Sequence, residues 1–313
     1  MPTNNTNVSV VFLGTGAALP SPERGVSALA LCTDSNIYLL DCGEGTQLRL
    51  LKAGLSPAKV TAVFISHLHG DHMFGLPGYI TSQQLLQRRH PLRIYGPHGI
   101  KRYIRSMQQI AGFTLNYPVE VIEIDPMHQY TFNENCWTVK TAGLVHNVPV
   151  IGFRFSEAEK PGKFDPEKAQ AFGIEPGPDR KRLQDGHPVK RKNRTIYPYH
   201  VLGPSIPGRI ISYCTDTRPC DASLELAMNS DLLIHESTFS DEFHQRARDT
   251  FHSTAREAAE IARRAGARCL ALYHISMRFH KNSDILLDEA RDEFESCFIP
   301  ADFDVFYVER NVT

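Results

Sequence analysis

No stretch of this 313-residue chain approaches the roughly 20 consecutive apolar residues that a membrane span needs, which argues against an integral membrane protein. Its 34 basic and 35 acidic residues nearly cancel, leaving a net charge of −1. There is thus no overall basic character of the kind that advertises nucleic acid, and any cationic surface must be local. The opening MPTNNTNVSVVFLGTG has neither the charged n-region nor the apolar h-region of a secretory leader. The seven cysteines (Cys32, Cys42, Cys136, Cys214, Cys220, Cys269 and Cys297) are odd in number, scattered and without a CxxC pair. That speaks against a disulfide framework or a cysteine zinc site and suits a reducing cytosol. A hydrophobic content of 42% can bury a large core. The expectation is a cytoplasmic α/β protein forming one domain over residues 1–313.

What the chain has in local abundance is metal-binding chemistry. Residues 64–76, FISHLHGDHMFGL, place His67, His69, Asp71 and His72 within six positions, directly after an apolar run at 60–65 that reads as a buried strand. Imidazole and carboxylate are the ligand set of zinc and similar divalent metals. Alternate positions of an extended segment point the same way, so His67 and His69 can clasp one ion. Gly70 lets the backbone turn, so Asp71 and His72 can reach a second. One such histidine would read as a solvated side chain; four ligands in so short a stretch do not.

Other positions are weaker when read singly. His146 lies past a strand expected at 137–142, Asp41 and Asp216 close apolar runs, and His274 follows another at 269–273. Glu236 follows the run 231–234. His252 precedes a helix opened by a Thr254/Glu257 capping box and stopped by Gly266. Ligand segments that all follow strand-length runs suggest sheets delivering them to one edge. From 156 to 204 periodicity fades and Pro and Gly recur; within 180–194, Arg180, Lys181, Arg182, Lys190, Arg191, Lys192 and Arg194 are set against Asp185 alone. Such an insertion is either a solvated loop or a handle whose cations release counterions from phosphates.

His67-Leu68-His69-Gly70-Asp71-His72 resembles the H-x-H-x-D-H signature of the metallo-β-lactamase superfamily. The segments FLGTGA, DCGEGTQ, GLVHNVPVIGFRF, CTDTRP, HESTF, FHST and HISMRF are similar, in that order, to those of the short form of the tRNA 3′-processing endonucleases, the ribonuclease Z family. Thr215 departs from the glycine usual there. The resemblance implies an αββα four-layer sandwich with a protruding flexible arm, residues 156–204, that grips the tRNA elbow. It implies one metal held by His67, His69 and His146, a second by Asp71, His72 and His274, and Asp216 bridging them, with two zinc ions per subunit. Asp41 would support the ligands, Asp71 would act as base, and His252, oriented by Glu236, would protonate the departing 5′ oxygen. The implied reaction is removal of the 3′ trailer from precursor tRNA, leaving a tRNA 3′-hydroxyl and a trailer 5′-phosphate, by a homodimer. Two rivals stand beside it. One is another hydrolase on the same fold, a thioesterase, lactonase or small-molecule phosphodiesterase; the other is a nucleic-acid-binding module without catalysis.

Overall fold

The computed structural model describes residues 7–191 and 194–310. Its apolar runs pair into two seven-stranded sheets. One has the order Val305–Tyr307, Ser9–Gly14, Ala28–Cys32, Ile37–Leu40, Val60–Phe64, Leu92–Pro97, Val119–Ile124. The other runs Cys297–Phe298, Leu270–Tyr273, Leu232–Glu236, Ile210–Cys214, Ile151–Glu157, Trp137–Gly143, Tyr130–Glu134.

The central strands are apolar on both faces because both faces are covered. Phe64 and Tyr273 point between the sheets, where they meet Phe12, Trp137, Phe153, Phe155 and Tyr213. Their neighbours turn outward: Val63 and Ile65 lie under helices Thr46–Lys52, Leu76–Leu85 and Ile100–Ala111. Leu270 and Leu272 lie under Asp221–Ala227, Ala255–Ala265 and Asp284–Arg291. The result is the expected αββα sandwich. Phe64 stacks on Tyr95 at 4.8 Å and meets Phe153 and Phe155 edge-on at 5.4 and 5.0 Å, locking the two sheets face to face.

Strand direction sets the position of the site. Ile37–Leu40, Val60–Phe64, Leu92–Pro97 and Val119–Ile124 are parallel, as are Ile210–Cys214, Leu232–Glu236 and Leu270–Tyr273. Their C-terminal ends therefore gather along one edge, the usual place for binding loops in sheets of this kind.

Several elements go beyond the sequence reading, among them an edge strand and a one-turn helix. Tyr130–Glu134 adds an edge strand whose YTFNE sequence is too polar to signal one. Asp71 and His72 lie in a one-turn helix, Gly70–Met73, rather than in a simple turn; four residues are too few for a helical period to show. The insertion expected at 156–204 corresponds to the excursion between Glu157 and Ile210, which leave and rejoin the sheet side by side. It is more ordered than its composition suggests. Helices Pro166–Ala171 and Pro178–Gln184 and the hairpin Val189–Arg191/Arg194–Ile196 enclose a small apolar cluster of Ala169, Ile174, Leu183, Val189, Ile196 and Val201. Lys192 lies outside the described residues. Among the described residues no helix is long and apolar enough to cross a membrane.

Candidate active site

The ligand segments leave their strands abruptly. Asp41, Asp216 and His274 adopt φ values of 59°, 41° and 58° just past strand ends, a left-handed conformation that side chains with a Cβ rarely take. Strain of this kind persists only where surrounding contacts over-determine it. Here it folds each backbone back so that the side chain overhangs the sheet edge.

Seven side chains expected to bind metal converge there. His67 Nε2 and His146 Nε2 lie 3.0 and 3.4 Å from His69 Nδ1, and 3.6 and 3.8 Å from Asp216 Oδ2. In a second trio, Asp71 Oδ2 stands 3.4 Å from His72 Nε2 and 3.3 Å from His274 Nε2. Both of those nitrogens are 3.3 Å from Asp216 Oδ1. Asp216 thus presents one oxygen to each trio, as a bridging carboxylate does.

The outer hydrogen bonds decide which nitrogen faces inward. Asp41 Oδ2 accepts from His72 Nδ1, Ser66 Oγ and Tyr213 Oη at 2.7, 2.8 and 2.7 Å. Because the Ser66 hydroxyl proton is committed to Asp41, His67 Nδ1–H donates to Ser66 Oγ at 3.0 Å. By the same logic the Thr238 hydroxyl donates to Glu236 Oε2 at 2.7 Å and accepts from His274 Nδ1 at 3.0 Å. His146 Nδ1–H donates to the Phe251 carbonyl at 3.0 Å. Each of these rings therefore turns a bare lone pair inward, the arrangement outer partners impose on metal-binding histidines. The lone pairs of His72 Nε2 and His274 Nε2, facing each other at 3.3 Å, repel unless a cation lies between them, and His67 Nε2 and His146 Nε2 converge on His69 Nδ1, so the residues present fit a divalent metal at each trio.

The electrostatics agree. Burial, reinforced by His72, holds His67 well below its ordinary pKa. Burial would raise Asp216, but His274, His72 and His67 outweigh it and keep the carboxylate charged. Asp71 is lowered against burial in the same way, chiefly by His72. His72 is pushed up against its burial by Asp216, Asp41 and Asp71; the proton so favoured occupies the place a cation would take.

His252 follows Phe251, another left-handed residue. Its Nδ1 donates to Glu236 Oε1 at 2.8 Å. Glu236 is fully buried and also accepts from Thr217 N and Thr238 N, at 2.8 and 3.1 Å. Burial alone would lower His252, but Glu236 raises it to about 9. The expected cap is present: Thr254 Oγ1 accepts from Glu257 N, and Thr254 N donates back to Glu257 Oε2. His252 also lines a cavity of about 580 Å³ with Leu19, Phe239, Arg246, Met277 and Arg278.

Among the described residues, the arm cations pair within the arm and not with this centre. Lys181 pairs with Asp185 at 2.9 Å, Arg191 pairs with Asp179 at 2.7 Å, and the Arg194 guanidinium lies over the Phe172 ring. Arg180 donates to the Ile174 carbonyl at 3.0 Å, and Arg182 and Lys190 are exposed. Thr215, the departure from the usual glycine, is buried and donates to Asp216 Oδ1 at 2.8 Å, so its side chain supports the bridging carboxylate. Sequence reasoning passed over Tyr213, which reads as one more strand residue. It also passed over Arg218, which donates to the His252 carbonyl and pairs with Glu257; its only signal was its place within CTDTRP.

Comparison with known proteins completes the picture. The profile of the anti-Pycsar protein Apyc1 family matches residues 8–146, and that of the beta-lactamase superfamily domain matches 182–275. Ribonuclease Z of Bacillus cereus is 42% identical over 305 residues, covering 96% of this chain and 99% of the relative. Ribonuclease Z of Methanosarcina acetivorans is 37% identical over 293 residues, covering 94% and 95%. The crystal structure of human tRNase Z, short form, superposes with a TM-score of 0.72 at 29% identity, covering 96% of this chain and 99% of that one. With two ligand trios sharing one carboxylate at the edge of an αββα sandwich, and identity of this extent along nearly its whole length, the chain belongs to the ribonuclease Z family of the metallo-β-lactamase superfamily.

Proposed function

We propose that this chain is an endoribonuclease that removes the 3′ trailer from precursor tRNA, leaving a tRNA 3′-hydroxyl and a trailer 5′-phosphate. The observation that carries the chemistry is Asp216, whose two oxygens face separate ligand trios beside a histidine held by a buried carboxylate. The relatives' name, ribonuclease Z, supports the substrate class.

His67, His69 and His146 would hold one zinc ion, Asp71, His72 and His274 the other, and Asp216 would bridge them. When bound, such a pair supplies Lewis-acid stabilisation of charge on the phosphoryl oxygens and lowers the pKa of a water. The rest belongs to the chain. Hydrolysis forms a bond from a water oxygen to phosphorus and breaks the bond from phosphorus to O3′. These products put the departing oxygen at O3′ of the mature tRNA, not at the 5′ oxygen expected from the sequence. Asp71 Oδ2 is engaged by Ala18 N at 2.9 Å and by the facing histidines, while Oδ1 has no donor among the described residues and can take the proton of the water. With Nδ1 committed to Glu236, His252 gives the proton at Nε2 to O3′. Arg246 and Arg278 in the adjoining cavity place positive charge beside the phosphodiester.

The arm, carrying Arg180, Lys181, Arg182, Lys190, Arg191, Lys192 and Arg194, would bind the tRNA body by contacting phosphates. The active form is a homodimer in the cytoplasm. Exposed leucines on neighbouring helices, Leu48 and Leu51 on one and Leu85 at the end of the other, support the dimer.

The test is cleavage of a 3′-extended precursor tRNA with mapping of both new ends. His69→Ala should lose cleavage and one equivalent of metal while keeping its circular dichroism. Cleavage at the wild-type rate in that variant, or a 3′-phosphate on the tRNA, would overturn the proposal.

A further inference from the structure

Asp302 lies in the turn before the final strand, Val305–Tyr307, far along the chain from every residue of the site. Its side chain is only 7% exposed, yet both oxygens are fully used. Oδ1 accepts from Thr15 N at 3.0 Å and from Thr15 Oγ1 at 2.7 Å. Oδ2 accepts from Gly25 N at 2.6 Å and pairs with Arg49. A largely buried carboxylate is an expensive way to gain stability, since apolar packing does as well without the desolvation cost. Its four partners suggest what it does instead. Thr15 and Gly25 are the two stems of one loop, closed by Gly16 N donating to the Gly25 carbonyl at 2.8 Å. Gly25 permits the clasp, because a Cβ there would stand 2.6 Å from the Arg49 guanidinium carbon.

What the loop touches is specific. Ile275 N donates to the Thr15 carbonyl at 2.9 Å, and Ala17 N donates to the Ile275 carbonyl at 3.0 Å, which fixes the residue after His274. Ala18, held at a φ of 60°, points its N–H at Asp71 Oδ2, 2.9 Å away. The loop therefore reaches two members of the Asp71/His72/His274 trio, and none of its bonds runs to His67, His69 or His146.

We infer that Asp302 is a positioning residue for the second metal trio: by clasping both stems of the 15–25 loop it sets Asp71 and His274, leaving the His67/His69/His146 trio to stand without it. The inference rests on the proposed two-metal function and goes beyond it by making the two sites separable through one distant side chain.

The test loads wild type, Thr15→Val and Asp302→Ala with zinc, challenges the full-length proteins with graded chelator, and counts metal per chain by elemental analysis. Melting temperature and cleavage of precursor tRNA are followed in parallel. Wild type should release two equivalents in separate steps. Asp302→Ala should hold one as tightly as wild type and the other about 10- to 100-fold more weakly, the range for loss of an outer partner. Its kcat should fall while KM for precursor tRNA stays near wild type, because the arm is untouched. Thr15→Val removes one of the four donors and should shift the same step by less; it keeps the inference testable if Asp302→Ala does not fold. Equal weakening of both equivalents in step with the melting temperature would mean that Asp302 only stabilises the fold, and unchanged release would equally overturn the inference. Wild type holding fewer than two equivalents would instead defeat the two-metal reading itself.

Discussion

Both carboxylate oxygens of Glu236 are occupied: Oε1 by His252 Nδ1 and Thr217 N, Oε2 by Thr238 N and Oγ1. Burial penalises its charge, but the adjacent His252 more than compensates and keeps its pKa below the usual carboxylate value. In return the carboxylate lifts His252 to about 9, where burial alone would depress it. A raised histidine keeps its proton until pH climbs past that value, so as the proposed proton donor His252 would stay loaded at neutral pH. Cations held by the proposed ligands would pull the value back down. Glu236→Gln removes the charge and keeps the shape. It should move the alkaline limb of kcat/KM to lower pH, leave the acid limb in place, and lower the neutral-pH rate by about 10²-fold or more, within the range for impaired acid–base catalysis. A pH–rate profile with both limbs unmoved would mean that Glu236 serves only to hold the backbone.

Among the elements, the arm shows most plainly how short pieces gain structure together. Its helices are six and seven residues long, too short to persist alone. They are held by an Asp165 cap that accepts from Glu167 N and Lys168 N and by the apolar cluster around Leu183 and Ile196. Rings line its return to the sandwich: Tyr197 stacks on Tyr199 at 5.5 Å, Tyr199 meets His200 at 4.3 Å, and His200 stacks on Phe172 at 5.1 Å. Tyr199 is 71% exposed, a poor place for a ring unless a flat partner covers it. If that partner is a base, the double change Tyr197→Ala/Tyr199→Ala should weaken tRNA binding by an amount independent of salt, about 1–3 kcal/mol per base lost. Lys190→Ala should instead flatten the salt dependence by about one phosphate contact. Fluorescence titrations at several ionic strengths separate the two, and a tyrosine variant with wild-type affinity would exclude stacking.

For the molecule as a whole, the excursion between Glu157 and Ile210 leaves and rejoins the sandwich at one place. Gly162 and Pro204 run so close that a Cβ on Gly162 would stand 2.1 Å from the Pro204 carbonyl, and Gly203 N donates to the Lys163 carbonyl at 2.9 Å. Replacing residues 162–204 with a short linker should therefore leave the sandwich folded. We expect tRNA binding to weaken sharply while hydrolysis of a small chromogenic phosphodiester is spared; a parallel fall in both would make the arm structural. The proposed dimer is tested by Leu51→Glu combined with Leu85→Glu, two positions that are 60% and 84% exposed. Light scattering should find the wild type at twice the chain mass and the double variant at one. A wild type at one chain mass would remove the dimer from the proposal.

The candidate ligands and the positions of the central strands were legible in the linear chain, because a metal site advertises itself through residue type and spacing, and because doubly covered strands are apolar in unbroken runs; the order of strands within each sheet was not. His67, His69, Asp71 and His72 stand out by spacing alone, as does the Thr254/Glu257 cap. The parts that contact across long separations were not legible. Tyr213 beneath Asp41, Thr238 on His274, and Asp302 on the 15–25 loop have no local pattern. A hydrogen bond between residues distant in sequence leaves no period behind; it exists only once two sheets have brought their C-terminal edges together. Residue type and spacing say which side chains could hold a metal. Only the packed sandwich decided which nitrogen of each ring faces inward, because that choice belongs to the outer partners the fold supplies.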